Sequence, residues 1–284
     1  MEIRFLKLFF LFFLFVTFKL IGQVQESTRL LQVDSTKSTI RTRFQPPYNY
    51  KWNSEIPNSF GSYLINFPLY PKNFPVRDFN KIPIQKQYNH AAIFKIDVGD
   101  KDLQQCADAW IRFYAEYLFA QKRFNEIGFH FTSGQFLSWK DYEKGIRTEE
   151  IADRVKFIKN AKFNNSYQNF RNYLNLVFNY AGTISLDKES ESITKNEDIN
   201  VGDFLIKPGS PGHSVIVVGV ARNDAGKKLY LLAESFMPAQ DIHIIINPLN
   251  RKISPWYELD VNAAQTITAK YIFKPTSIKR FRGK

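Results

Sequence analysis

One cysteine, Cys106, stands in a chain of 284 residues, which excludes an intramolecular disulfide. Histidine is nearly as scarce, with four copies at positions 90, 130, 213 and 243. None of these residues falls into an HExxH, CxxC or clustered Asp/His spacing, so no metal site is expected. A GxSxG elbow, a phosphate-binding loop and a dinucleotide fingerprint are absent too, and no cofactor is implied. Beyond the first 22 residues no apolar run is long enough to cross a bilayer.

Hydrophobic side chains, by contrast, make up 44 % of the chain, enough for a sizeable core. The net charge is +12, carried by Lys and Arg spread along the sequence. Only residues 279–284 (KRFRGK) form a dense basic patch. Such a balance suits an anionic envelope surface or matrix and gives no reason to expect nucleic acid.

Residues 1–22 read as a signal peptide, with Arg4 and Lys7 as the basic start, an apolar stretch over 8–18 and the small Gly22 before a cleavage point. The protein is therefore expected to be exported, to a periplasm or the extracellular space. Residues 23–43 are polar and Ser/Thr-rich and read as a flexible linker. Residues 44–284 read as a single α+β domain, opening with a Pro- and aromatic-rich extension over 44–83. Seven prolines in that extension, at 46, 47, 57, 68, 71, 75 and 83, preclude long helices.

Residues 88–98 alternate as a strand. A helix is expected over 102–122, capped by Asp100 or Asp102, because Leu103, Cys106, Ala107, Trp110, Tyr114, Tyr117 and Leu118 share one apolar face. Cys106 then lies near its first turn, on the core side. Residues 149–159 read as a short helix. A longer one over 166–181 is capped by Asn165 or Ser166 and ended by Gly182. The most regular β-sequence follows, with strands expected at 203–207, 213–221, 228–235 and 241–246 and a last one at 269–273. The run 214–220 is continuously apolar, as in a strand covered on both faces. Helices in the middle thus pack on a C-terminal antiparallel sheet, an α+β arrangement.

Chemistry is expected where these elements meet. Cys106 at a helix start and His213 at the mouth of a strand are the residue types of a thiol nucleophile and its base. A third polar group orients the imidazole in such sites. Strands 213–221 and 228–235 form a hairpin, so the end of the second returns to the start of the first. That brings Glu234 and Ser235 to His213. Gln104, Gln105 or a backbone N–H at the helix start could stabilise an oxyanion. Gly212, in the PGSPG loop, would leave room for substrate. His243 alternates with Ile242 and Ile244 and is expected to face solvent or the opposite sheet face, while His90 and His130 are alternative bases.

The order helix-Cys, strand-His, polar residue on the adjacent strand resembles that of papain-like cysteine hydrolases, including NlpC-type and CHAP-type cell-wall amidases. Gly202-Asp203 followed by Gly212-His213-Ser214-Val215-Ile216 is similar to the His segment of those families. YLLAESF (230–236) is similar to the papain-type strand ending in Asn-Ser-Trp, with Glu234 at the Asn position. Ala107 stands where papain-type enzymes carry Trp after the nucleophile. Over most of 50–281, including LQQCADAW and SFMPAQDIH, the chain resembles a family of exported bacterial proteins of unknown function. The first resemblance implies a papain-like or NlpC-like fold and a cysteine hydrolase acting on peptide or amide bonds, with a peptide or peptidoglycan-like substrate. Cys106 would be nucleophile, His213 base, and Glu234 or Ser235 the orienting group. The alternative is a non-catalytic envelope binding or interaction module on the same fold, with Cys106 unreactive.

Overall fold

A computed structural model describes residues 33–151 and 154–283. The expected signal peptide (1–22) and the first part of the linker lie outside the described residues. Among the described residues no helix is long and apolar enough to cross a membrane.

The apolar run after His213 forms a strand from His213 to Asn223, and the chain returns as a second from Lys228 to Glu234. Between them the Asn223 side chain accepts the Lys227 N–H at 2.8 Å, and Gly226 takes φ +84°, a left-handed conformation that other residues adopt at a cost. This hairpin is the middle of a nine-stranded antiparallel sheet among the described residues. In chain order its strands are β1 (Tyr50–Trp52), β2 (His90–Ile93), β7 (Ser190–Ser192), β8 (Phe204–Lys207), β9 (His213–Asn223), β10 (Lys228–Glu234), β11 (His243–Ile245), β12 (Trp256–Tyr257) and β15 (Ile278–Phe281). The remaining strands form three small hairpins: β3 (Gly128–His130) with β4 (Phe136–Ser138), β5 (Ile146–Ile151) with β6 (Arg154–Lys159), and β13 (Thr266–Ile267) with β14 (Ile272–Phe273).

The sheet runs β2-β11-β10-β9-β8-β15-β7, while β1 continues along the far end of β9 and β12 along that of β10. Between Leu231 and Leu232 the β9/β10 register shifts, with Gly219 opposite Leu231 and Val217 opposite Leu232. Val218 is the extra residue of a bulge, which bends the hairpin. The first nine residues of β9 are buried, so this strand is covered on both faces. Helix cover comes in chain order from α1 (Ile40–Arg43), α2 (Phe60–Ile65), α3 (Cys106–Ala120), α4 (Trp139–Glu143), α5 (Tyr167–Tyr180) and α6 (Thr183–Lys188). Helix α3 packs on β9, and its Trp110 Nε1 donates to the Gly202 carbonyl at 2.8 Å. One hydrophobic cluster runs from Ile40 through α3, α5 and the sheet to Ile278.

Several expectations need correction. Helix α3 starts at Cys106 and not at residue 102: Leu103 and Gln105 close tight turns onto Lys101 and Leu103, and Asp102 accepts the Ala239 N–H at 2.6 Å instead of capping. Residues 149–159 form no helix. They belong to the β5/β6 hairpin, paired from Ile146↔Lys159 to Ile151↔Arg154, and the β-branched and aromatic Val155, Phe157 and Ile158 suit a strand. The expected linker packs from residue 33 onward. Ile40 is fully buried, and Arg43 donates to the Lys37 and Tyr70 carbonyls at 2.7 and 2.8 Å. The basic C-terminal patch holds strand β15, and the strand expected over 269–273 is only Ile272–Phe273.

Candidate active site

Strand β9 extends beyond its last registered β10 pair, Ala233↔Ile216, so residues 213–215 border a gap at the end of β10. Helix α3 points its first residue, Cys106, into that gap. The first turn of any helix has N–H groups without intrahelical partners. Here the backbone N–H groups of Ala107, of Ser214 and of Cys106 itself are near enough to the Cys106 sulfur to favour its thiolate. The nucleophile candidate therefore feels the backbone of the residue next to the base candidate.

His213 is 2 % exposed, and its Nε2 lies 2.8 Å from Oε2 of Glu234, which is fully buried. Burial alone would raise the Glu234 carboxyl, but the His213 hydrogen bond and the nearby His243 outweigh it and hold the group down at about 2. Ionised Glu234 can only accept, so Nε2 of His213 carries the proton. In the neutral ring Nδ1 is then bare and able to take one. Aromatic rings surround the imidazole: Tyr271, Phe236 and Phe273 have centroids 4.8, 5.1 and 5.9 Å away. Tyr271 and Phe273 belong to the β13/β14 hairpin, which covers this side of the site.

The thiol itself is 8 % exposed. Burial, with a smaller contribution from Asp108, pushes it up to about 11 against the pull of the three N–H groups. In this closed arrangement Cys106 is a neutral thiol at pH 7, ionised in about one molecule in 10⁴.

The other expected site residues do different work. Ser235 does not reach His213. Its buried hydroxyl lies 2.7 Å from the Gln240 carbonyl and 3.1 Å from that of Gln104, which ties the end of β10 to the turn before α3. The Gln104 side chain accepts from Arg112 at 2.9 Å, and its Nε2 is buried without a partner. Arg112 is six residues after Cys106, about 240° further round the helix, so this amide is turned away from the thiol. Gln105 precedes the helix: its N–H reaches Asp108 at 3.1 Å and its side chain reaches Asp102 at 3.2 Å. Gly212 leaves no room for substrate. A Cβ there would come within 2.3 Å of Thr183 Oγ1 and 2.6 Å of the Gly209 carbonyl, so the glycine is required by close packing. His130 pairs with Glu189 at 2.6 Å on a different flank.

Two residues of the site were not expected from sequence. His243 is 1 % exposed, with Nε2 3.6 Å from Oε1 of Glu234, and is paired directly across from Glu234, so the expectation that it faces solvent or the opposite sheet face is overturned. Strand β11 is buried on both faces, and alternation carries no information in such a strand. Lys270, in the turn between β13 and β14, places Nζ 3.6 Å from the same Glu234 oxygen and 3.2 Å from His243 Nε2. Nothing in the sequence singled out this lysine. His90 stands behind His243, ring centroids 6.1 Å apart. No group of three His, Cys, Asp or Glu among the described residues is arranged to hold a metal ion.

A cleft of about 600 Å³ lies elsewhere, lined among others by Asn196, Lys228, Tyr230, Tyr257 and Thr266. It meets the β13/β14 hairpin at Thr266 and Ile267 but contains neither Cys106 nor His213.

Mixed α/β architecture around a large antiparallel sheet is thus the class of this protein. The chain belongs to a family described as a domain of unknown function (4846), which matches residues 40–280. No curated protein and no solved structure matches it.

Proposed function

We propose that the protein is an exported cysteine hydrolase with a papain-like or NlpC-like arrangement of groups, cleaving peptide or amide bonds, with cell-wall stem peptides as the substrate class. The observation that carries this reading is the convergence of Cys106, at the start of α3, on Ser214, next to a His213 whose Nε2–H is held by ionised Glu234. In the reaction, Cys106 gives its proton to Nδ1 of His213 as the sulfur attacks the carbonyl carbon. The imidazolium then protonates the leaving nitrogen, and a thioester remains on the sulfur. Water, deprotonated by the same imidazole, attacks that thioester and restores the thiol. Glu234 stays ionised throughout and holds the ring in the required tautomer. The Cys106 N–H, at the positive end of a 15-residue helix, is the oxyanion donor on this reading.

A second reading rests on burial. Cys106, His213 and Glu234 are 8, 2 and 0 % exposed, as suits a buried polar cluster in a non-catalytic binding module on the envelope. Turnover requires the covering hairpin to open, whereas a binding module has no such need.

Incubating the protein with muropeptides and synthetic stem tetrapeptides, and counting released amino groups, separates the two. The hydrolase reading expects release that stops in both Cys106→Ala and His213→Ala while both variants keep the wild-type melting profile. Equal background release from wild type and variants would favour the binding module.

A further inference from the structure

Glu234 shares its charge between two sides, and only one of them faces the candidate base. Its Oε2 holds His213 at 2.8 Å. Its Oε1 is fully buried, has no hydrogen-bond partner at normal distance, and sees His243 Nε2 and Lys270 Nζ each at 3.6 Å. Lys270 is also 3.3 Å from Gln240 Oε1, and its ammonium lies 5.2 Å from the centre of the Phe236 ring. A carboxylate with no countercharge is costly in such a place.

The protons on this second side can be placed. His243 Nδ1 is 2.8 Å from the Asp241 carbonyl. A carbonyl only accepts, so Nδ1 carries a proton. Lys270 Nζ lies 3.2 Å from Nε2, and a charged Lys270 is a donor only, so with the ammonium in place Nε2 accepts and the ring holds one proton. With one proton on each imidazole, the buried unit contains one carboxylate, one ammonium and a neutral thiol. Its charge sums to zero, and the ammonium is the only cation in it.

We propose that Lys270 is a positioning residue of the Cys106–His213 site: its ammonium neutralises Glu234 from the far side, so the carboxylate can orient His213 without drawing a second proton onto it. The proposal rests on His213–Glu234 being the working pair of the hydrolase reading. It explains how a carboxylate can stand where a neutral amide would serve, because Glu234 and Lys270 together present no net charge to the imidazole. A lone carboxylate at 2.8 Å would favour the imidazolium, and an imidazole already holding two protons is no base. The lysine arrives on the covering β13/β14 hairpin, so one element both covers the imidazole and balances the charge.

All charged and titratable groups around the unit belong in the test. They are Cys106 and Asp108 on α3, His213 on β9, Glu234 on β10, His243 on β11, His90 on β2 behind His243, Tyr257 on β12, whose hydroxyl feels the Glu234 charge, Tyr271 beside His213, and Lys270 itself. The experiment is the nitrogen-15 spectrum of the histidine rings at pH 7 in the full chain without substrate, with signals assigned through His213→Gln and His243→Gln. Wild type should show one protonated and one bare nitrogen in each of these two rings. Lys270→Met should convert one of the two to a doubly protonated imidazolium, and the double variant Lys270→Met/His243→Gln should place that proton on His213. Lys270→Arg should restore the wild-type pattern. Unchanged ring nitrogens in a folded Lys270→Met protein would overturn the proposal, as would the same change in Lys270→Arg. Because no turnover is read, an inactive wild type would count against the hydrolase reading alone and leave the role of Lys270 decided by the spectrum.

Discussion

Asp108 and Glu234 are both buried carboxyl groups, and their surroundings push them in opposite directions. Asp108 has Oδ2 on the Gln105 N–H but Oδ1 without a partner, and burial raises it to about 8. Glu234 is held at about 2, chiefly by His213 once burial is overcome. The signs follow from linkage. For Asp108 the folded value lies above the unfolded one, so its contribution is fully present below about pH 4 and is lost as pH rises toward 8. For Glu234 the folded value is depressed, so its contribution is present above about pH 4.5 and is lost as pH falls toward 2. Urea midpoints measured from pH 2.5 to 8.5 should therefore form a dome. Asp108→Asn should lift the alkaline side by several tenths of a molar, and Glu234→Gln should flatten the acid side while lowering the midpoint elsewhere, by about 2 kcal/mol or more. A flat Asp108→Asn difference across the range would mean that this carboxyl is solvated in the folded protein.

The elements that sequence revealed best are those with strong local signals. Strands β8, β9, β10 and β11 and helix α5 begin and end within a few residues of expectation, because turn residues and an apolar period coincide there. The N–H of Asn169 reaches the expected cap, Ser166, at 3.2 Å. Strand β15 was hidden for the opposite reason: KRFRGK looks like a solvated tail, yet Lys279 pairs with Asp187 and Arg280 with Asp203. Arg280 Nε and Nη2 hold Asp203 at 2.8 and 2.9 Å, and Asp203 is only 2 % exposed. Such a pairing joins residues 77 apart and leaves no trace in a local window. Arg280→Ala should leave the Asp203 carboxylate buried and unpaired, at a cost on the order of 2 kcal/mol. Thermal unfolding would show it as a lower Tm, recovered in part by adding Asp203→Asn. An unchanged Tm in Arg280→Ala would mean that β15 adds little to the sheet.

At the scale of the molecule, the candidate site lies where a helix start, the end of a long hairpin and a short covering hairpin converge. Two of those three were legible. Cys106 and His213 stood out by scarcity and position, and Glu234 followed from hairpin geometry. The third was not, since Lys270, Tyr271 and Phe273 come from a short hairpin of no distinctive sequence, brought in by the chain path after β12. The same cover makes the central claim demanding, because a thiol near 11 with no assisting base should be almost inert at neutral pH.

The most direct measurement is the rate of Cys106 alkylation by iodoacetamide in the folded protein at pH 7, in wild type and in His213→Ala. If His213 takes the thiol proton, the wild type should label in the native state and the variant should be slower by about 100-fold, the low end of what a positioned base supplies. Labelling that appears only in urea, at the same rate in both proteins, would contradict the account and leave Cys106 as a buried structural residue.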